Sequence, residues 1–389
     1  MTLLIALLLL AISSVLAQHD DASISLRGGG RRRLQELPEE APTPTEAEPS
    51  EQENKEKQMR SYLGGLYPSV DSNMCPMHLR DTSDMTSGYT MDMYSGGGQP
   101  VLRNSDLVFF WHIPRSGGST MKNIMNYCYD LRRAEQLDED PSMNFVRNNV
   151  MNMDTTSPDG LQISLENDIV NSNMLDVIVS NYFLSGSALF NDKHHGKAFT
   201  ILRHPVELSA SLFFERRKYI EAWKSMTFHD YVKSDAYLDS WMTRQLTGTM
   251  PWVPLTEAHL EQAKNVMKTK IFVGVLGEIE ETLRQLKCHF GWGKEKWVPK
   301  CEQKLLQDPD SVNEHPAPPV RGGATWKVFI EKEKWDMALY YYGLELFAEQ
   351  RNRHPPKDVN EALFTSFHSE IRRQKAAAEA LTEVVMTHS

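Results

Sequence analysis

Four short apolar runs, each followed by a stretch of helical periodicity, constrain this chain more than any other feature. They are Asp106–Ile113 (DLVFFWHI), Met174–Ser180 (MLDVIVS), Lys197–Arg203 (KAFTILR) and Lys270–Leu276 (KIFVGVL). Apolar runs of this length, bounded by turn residues, suit strands buried on both faces of a parallel sheet. Between them the period changes. Met121, Ile124, Cys128 and Leu131 step by three, four and three, which is one stripe of a helix starting near Ser119. Pro205 suits the first turn of another helix, with Glu207 near its start and Arg216, Arg217 and Lys218 near its end, as the macrodipole favours. Ile279, Leu283, Leu286 and Phe290 form a third stripe, which Gly291 ends. A last helix is expected over Ala324–Gln350, with Met337, Tyr340, Leu344 and Phe347 on one face. This alternation predicts an α/β domain over 105–350, with a central, mostly parallel sheet flanked by helices. Ligands of such sheets bind at the carboxyl ends of the strands.

Composition narrows the class. The chain has 389 residues, 40% of them hydrophobic, enough for a substantial core. A net charge of −10 excludes a strongly basic polyanion binder. Four cysteines without a CxxC pair exclude a disulfide scaffold and give no zinc signature. The apolar run Leu3–Ala17 is short for a bilayer span but fits a signal-peptide core with cleavage after Ala17, or an uncleaved signal anchor. Either directs the body to the secretory pathway. Residues 18–57 read as a disordered acidic stem: Arg27–Arg33 is basic and glycine-rich, a processing site or a solvated run, and Leu34–Lys57 holds eight Glu and four Pro. Residues 1–57 carry six Lys/Arg and ten Asp/Glu, −4 of the −10, leaving −6 for the rest. Residues 58–104 read as an irregular lead-in and 351–389 as a helical or disordered tail. No N-x-[ST] sequon occurs, so N-glycosylation is not expected.

The chemistry concentrates in Phe109-Phe-Trp-His-Ile-Pro-Arg-Ser-Gly-Gly-Ser-Thr-Met121. A buried strand running through a glycine turn into a helix aims backbone N–H groups and the positive helix end at one point, an anion site. Gly117 and Gly118 permit close approach, Arg115 adds charge, and Ser119 and Thr120 add hydroxyls; an ordinary strand–turn–helix connection is the competing reading. Gly118 stands where a Walker A loop has its Lys, which argues against a nucleoside triphosphatase. Thr200-Ile-Leu-Arg-His-Pro-Val-Glu-Leu-Ser-Ala-Ser-Leu-Phe-Phe214 repeats the architecture: Arg203 ends a strand and Ser211 lies on the next helix, facing the same side. An Arg with a Ser suits a terminal phosphate.

IPRSGGST followed about ninety residues later by ILRHPVELSASLFF resembles the two signature segments of sulfotransferases. Trp241–Gly248, Ile271–Leu283 and Trp335-Asp-Met-Ala-Leu-Tyr-Tyr-Tyr resemble the Golgi carbohydrate branch, the uronyl 2-O and glucosaminyl 6-O type. The resemblance covers about Asp106 to Phe347 and implies a domain of P-loop type. It also implies 3′-phosphoadenosine 5′-phosphosulfate as co-substrate, no metal, and a glycan or proteoglycan acceptor. Arg115 aligns with a catalytic Lys that neutralises the leaving phosphate, a departure that keeps the charge. Ser116, Gly117, Gly118, Ser119 and Thr120 would hold the 5′ phosphate, and Arg203 and Ser211 the 3′ phosphate. Where the 2-O branch carries its His base, this chain has Ser180 and Asn181. His112, His194, His195, Glu166 and Asp168 are the other titratable groups weighed for that role. The polar segment Leu137–Ile169 is where acceptor loops are expected. The rival readings are a nucleotide-binding pseudoenzyme and a P-loop phosphotransferase. Cys288 and Cys301 are close enough in sequence for a lumenal disulfide; Cys75 can pair with Cys128, or Cys128 can be a buried thiol.

Overall fold

Each expected apolar run forms a strand, and the four lie side by side in one sheet. The computed structural model describes residues 106–135, 145–147, 149–191, 194–308 and 316–353. The leader or anchor, the stem, the lead-in, Cys75 and the tail beyond 353 lie outside the described residues.

Strands β1 (Asp106–Trp111), β2 (Arg133–Glu135), β3 (Phe145–Arg147), β4 (Val150–Asn152), β5 (Val177–Ser180), β6 (His195–Leu202) and β7 (Ile271–Val275) form a seven-stranded sheet in the order β3-β4-β2-β5-β1-β6-β7. All pairs are parallel except the edge pair β3–β4. Helices cover both faces, so the α/β expectation holds. On one face, Leu107, Phe109 and Trp111 pack with helices α6 (Trp241–Thr247), α7 (Glu257–Lys270) and α11 (Lys334–Arg353). On the other, Val108 and Phe110 pack with α1 (Gly118–Asn123), α8 (Ile279–Phe290) and α9 (Val298–Leu306). The stripe Met121, Ile124, Cys128 and Leu131 is buried here, each large side chain contributing on the order of 2 kcal/mol of burial.

Two expectations change, and the polar segment Leu137–Ile169 gains elements of its own, the β3–β4 hairpin at the sheet's edge and helix α2 (Pro158–Glu166). Strands of three residues carry too little periodicity to be recognised, and β2 reads as charged because its buried Arg133 and Glu135 pair with each other. The single helix over Ala324–Gln350 is two, α10 (Ala324–Lys332) and α11, broken at Glu333. Glu333 is buried at the break, where its carboxylate accepts hydrogen bonds from Tyr237 Oη (2.6 Å) and the Ser240 N–H (3.0 Å). Asp336 accepts from the Met242 and Thr243 N–H groups, both at 2.7 Å, so the two acids cap the amino end of α6.

The disulfide is Cys128–Cys301 (Cα–Cα 5.7 Å), not Cys288–Cys301, and Cys128 is neither a free thiol nor a partner of Cys75. A π-helical turn, Ile124–Cys128, continues α1 and carries Cys128 into the core, facing α9. Cys288 lies on α8 away from the buried Leu283–Leu286–Phe290 stripe and is an exposed free thiol.

Candidate functional site

Strand order locates the site before any side chain does. β5 and β6 flank β1 on opposite sides, so the chain passes from one half of the sheet to the other around β1. In open parallel sheets the crevice at such a point, beyond the carboxyl ends, receives ligands. The 112–118 loop occupies that place.

Its shape follows from two glycines. Gly117 has φ +78°, and a Cβ there would lie 2.7 Å from Leu276 Cδ1, at the exit of β7. Gly118 opens α1, and a Cβ on it would collide with the imidazole of His112. No side chain caps α1, and its first turn contains no acid, so its leading N–H groups can donate to an anion. Ser116 is buried, and its Oγ has no hydrogen-bond partner among the described residues. A buried hydroxyl left so costs about 1–3 kcal/mol, which a bound anion would recover. Ser119 is exposed and Thr120 half-buried at the same helix end.

Arg115 is the unusual residue of the loop. Its φ of +65° is left-handed, a conformation costing about 1–3 kcal/mol for a side-chain-bearing residue. Contacts at both ends hold it there. Its carbonyl accepts from Arg203 Nη1 at 3.0 Å, and its own Nε donates to Ser211 Oγ at 3.1 Å. The guanidinium also approaches Glu215, with Nη2 to Oε2 at 3.8 Å. Ser211 and Glu215 lie on α4 (Pro205–Tyr219), which follows β6 and Arg203. The two candidate anion segments, 88 residues apart at Arg115 and Arg203, therefore meet.

His204 caps α4: its Nδ1 accepts the Val206 N–H at 3.3 Å, and its ring packs against Trp326 and Tyr340. Burial drives its pKa down to about 4, with Glu207 pulling upward and Arg321 adding to the depression. It is therefore a neutral acceptor at physiological pH. Arg321 belongs to a second glycine turn: Gly322 has φ +81°, with open space around it, and Gly323 opens α10 without a side-chain cap. Sequence reasoning missed this element, although Arg-Gly-Gly ahead of an apolar helix echoes the first loop.

The titratable groups weighed as bases fall apart spatially. His195 starts β6 and is exposed at its amino end, and His194 precedes it. Glu166 ends α2, and Asp168 lies in the turn leading to the amino end of β5. All four stand toward the amino ends of the strands, opposite the loop. Ser180 ends β5 and Asn181 follows it, beside the loop: the Ser180 carbonyl accepts from the His112 N–H at 2.9 Å, and the Asn181 carbonyl from Trp111 Nε1 at 3.2 Å. His112 underlies Gly118. Burial raises the Tyr182 pKa to about 12; Asp154 pushes the same way and Arg216 opposes it.

Lys122 and Glu135 form a buried pair (2.9 Å) between α1 and the carboxyl end of β2, with Arg133 on the same carboxylate. Removing Glu135 would leave two buried cations uncompensated, whereas removing Lys122 leaves the carboxylate paired with Arg133. Among the described residues no group of His, Cys, Asp and Glu is arranged for a metal, and no helix is long and apolar enough to cross a membrane. No family model matches this chain. A search of curated proteins likewise finds no match.

Proposed function

We propose that this chain is a sulfotransferase of the secretory pathway, carrying a sulfuryl group from 3′-phosphoadenosine 5′-phosphosulfate to a carbohydrate hydroxyl. The observation that carries the reading is the junction of the two segments, Arg203 on the Arg115 carbonyl and Arg115 on Ser211. A nucleotide with phosphate at both ends would touch both. In this reading the P-loop-type turn Ser116–Thr120 takes the 5′ side, where the buried Ser116 Oγ and the helix N–H groups await an acceptor. Arg203 and Ser211 take the 3′ phosphate, and the Arg321–Gly323 turn adds a second positive helix end. The acceptor hydroxyl oxygen bonds to sulfur and gives its proton to solvent water, the sulfur–oxygen bond to the 5′ phosphate breaks, and its electron pair stays on the phosphate, which Arg115 neutralises. The reading assigns no metal to the step and no nucleic acid as partner. The Cys128–Cys301 bond supports an oxidising lumen.

One observation favours a second reading. Ser180 and Asn181, standing where the resembled branch has its His, are not bases at neutral pH, and a nucleotide-binding protein without transfer needs none. Two measurements separate the readings. Adenosine 3′,5′-bisphosphate raises the melting temperature under both. Radiolabelled sulfate passes from the donor to a member of a glycan panel only under the first. Failure of the bisphosphate to stabilise the protein refutes both. Magnesium-dependent triphosphate binding in its place would point to a phosphotransferase.

A further inference from the structure

Glu207, Ser211 and Glu215 are spaced by four along α4 and so share one face of it. That face meets both arginines. Glu207 Oε2 lies 3.4 Å from Arg203 Nε; Ser211 and Glu215, one turn apart, take the Nε and Nη2 edges of Arg115. The Arg115 and Glu215 side chains are only 8% and 14% exposed, so solvent screens the pair weakly. Lys218 Nζ sits 2.6 Å from the same Glu215 oxygen, balancing the carboxylate from the solvent side.

We propose that Glu215 is a positioning residue, aiming the Arg115 guanidinium at the anion held by the 114–120 loop. This role rests on the sulfotransferase reading above. A guanidinium is a planar fork, able to hold a partner on each edge while presenting its remaining N–H groups to an anion. An ammonium is a point charge on a flexible stem and gains no orientation from two partners on neighbouring turns. An arginine at 115 therefore requires a second anchor that a lysine would not, and Glu215 stands one helical turn beyond Ser211 to supply it. The same carboxylate lowers the net positive charge facing the anion, so its contribution is to orientation and not to affinity.

A double-mutant cycle on the full chain tests this, using Glu215→Gln, Arg115→Lys and the pair. Single-turnover transfer from radiolabelled donor and the Kd of adenosine 3′,5′-bisphosphate are the two readouts. In the otherwise wild-type chain, Glu215→Gln should slow transfer about thirty-fold, because a misplacement near 1 Å is enough for such a loss. The bisphosphate Kd should stay within about three-fold, because Glu215 lowers the positive charge facing the anion and adds no affinity of its own. In the Arg115→Lys background the same change should slow transfer less than about three-fold, giving a coupling near ten-fold. Glu215→Asp keeps the charge on a shorter arm and should recover the melting temperature but only part of the rate. Equal losses in both backgrounds, or no loss while the wild type transfers sulfate, would overturn the role. A wild type that fails to bind the bisphosphate would instead overturn the functional reading beneath it.

Discussion

Replacing Cys301 with alanine opens the loop that the Cys128–Cys301 bond closes, 173 residues long. In the chain-entropy model a closure of that length removes about 17 cal/mol/K from the unfolded chain, or about 5 kcal/mol at 25 °C. For a body of this size, that loss lowers Tm by roughly 10–15 °C. The structure makes the effect specific. Cys128 ends the turn that continues α1, so the bond ties the helix behind the candidate anion loop to α9. Lys287 and Tyr129 converge on Glu302 beside it, at 2.7 and 2.5 Å, so the same corner is also held by charge and hydrogen bonding. Differential scanning calorimetry of Cys128→Ala, Cys288→Ala and Cys301→Ala decides the matter, with peptide mapping under non-reducing conditions. The first and third should fall together, while Cys288→Ala, which removes an exposed thiol, should match the wild type. Pairing of Cys288 with Cys301, thirteen positions apart, would close a much shorter loop worth about 3 kcal/mol. A comparable loss in Cys288→Ala, with none in Cys128→Ala, would refute the reasoning.

Further predictions rest on the site. Arg115→Ala should abolish transfer while largely sparing nucleotide binding, whereas Arg203→Ala should weaken bisphosphate binding by about 1.5–3 kcal/mol, as expected for a charge-assisted contact; calorimetric titration showing the reverse pattern would contradict the assignment. Gly118→Ala should drive a methyl group into the His112 ring, lowering stability by about 1–3 kcal/mol and weakening bisphosphate binding, both readable by thermal shift. His204, held near a pKa of about 4 by burial, binds fewer protons folded than unfolded between pH 4 and its ordinary 6.5. Its contribution is therefore present above pH 6.5 and lost as pH falls toward 4, by roughly 3 kcal/mol at most. Burial raises Asp336 to about 6, which slopes the opposite way, so the His204 effect is read as the difference between wild type and His204→Asn across urea titrations at several pH values. Identical pH slopes for the two proteins would rule it out.

What can be read from the residues is local and periodic. The strands β1, β5, β6 and β7 are visible because each is a continuous apolar run. The α1 and α8 stripes are visible because buried helix faces repeat every three to four residues. The 112–118 loop is visible because two glycines between a strand and a helix leave few conformations open. Three-residue strands and the break at Glu333 are not, because each depends on partners distant in sequence: β4 lies along β2, and Tyr237 and Ser240 hold Glu333. The Cys128–Cys301 pairing escapes the sequence for the same reason, since nearness along the chain is a poor guide when a π-helical turn decides which way a cysteine faces.

The order of residues alone therefore determined an α/β sheet and the two arginine-bearing segments that follow its strand ends. Only the tertiary structure decided that these ends touch, that Ser211 and Glu215 grip the Arg115 guanidinium, and that His204 is buried neutral. Periodicity is a property of one segment and is written into it; contact between segments is set by strand order and helix packing, which emerge only when the whole chain has condensed.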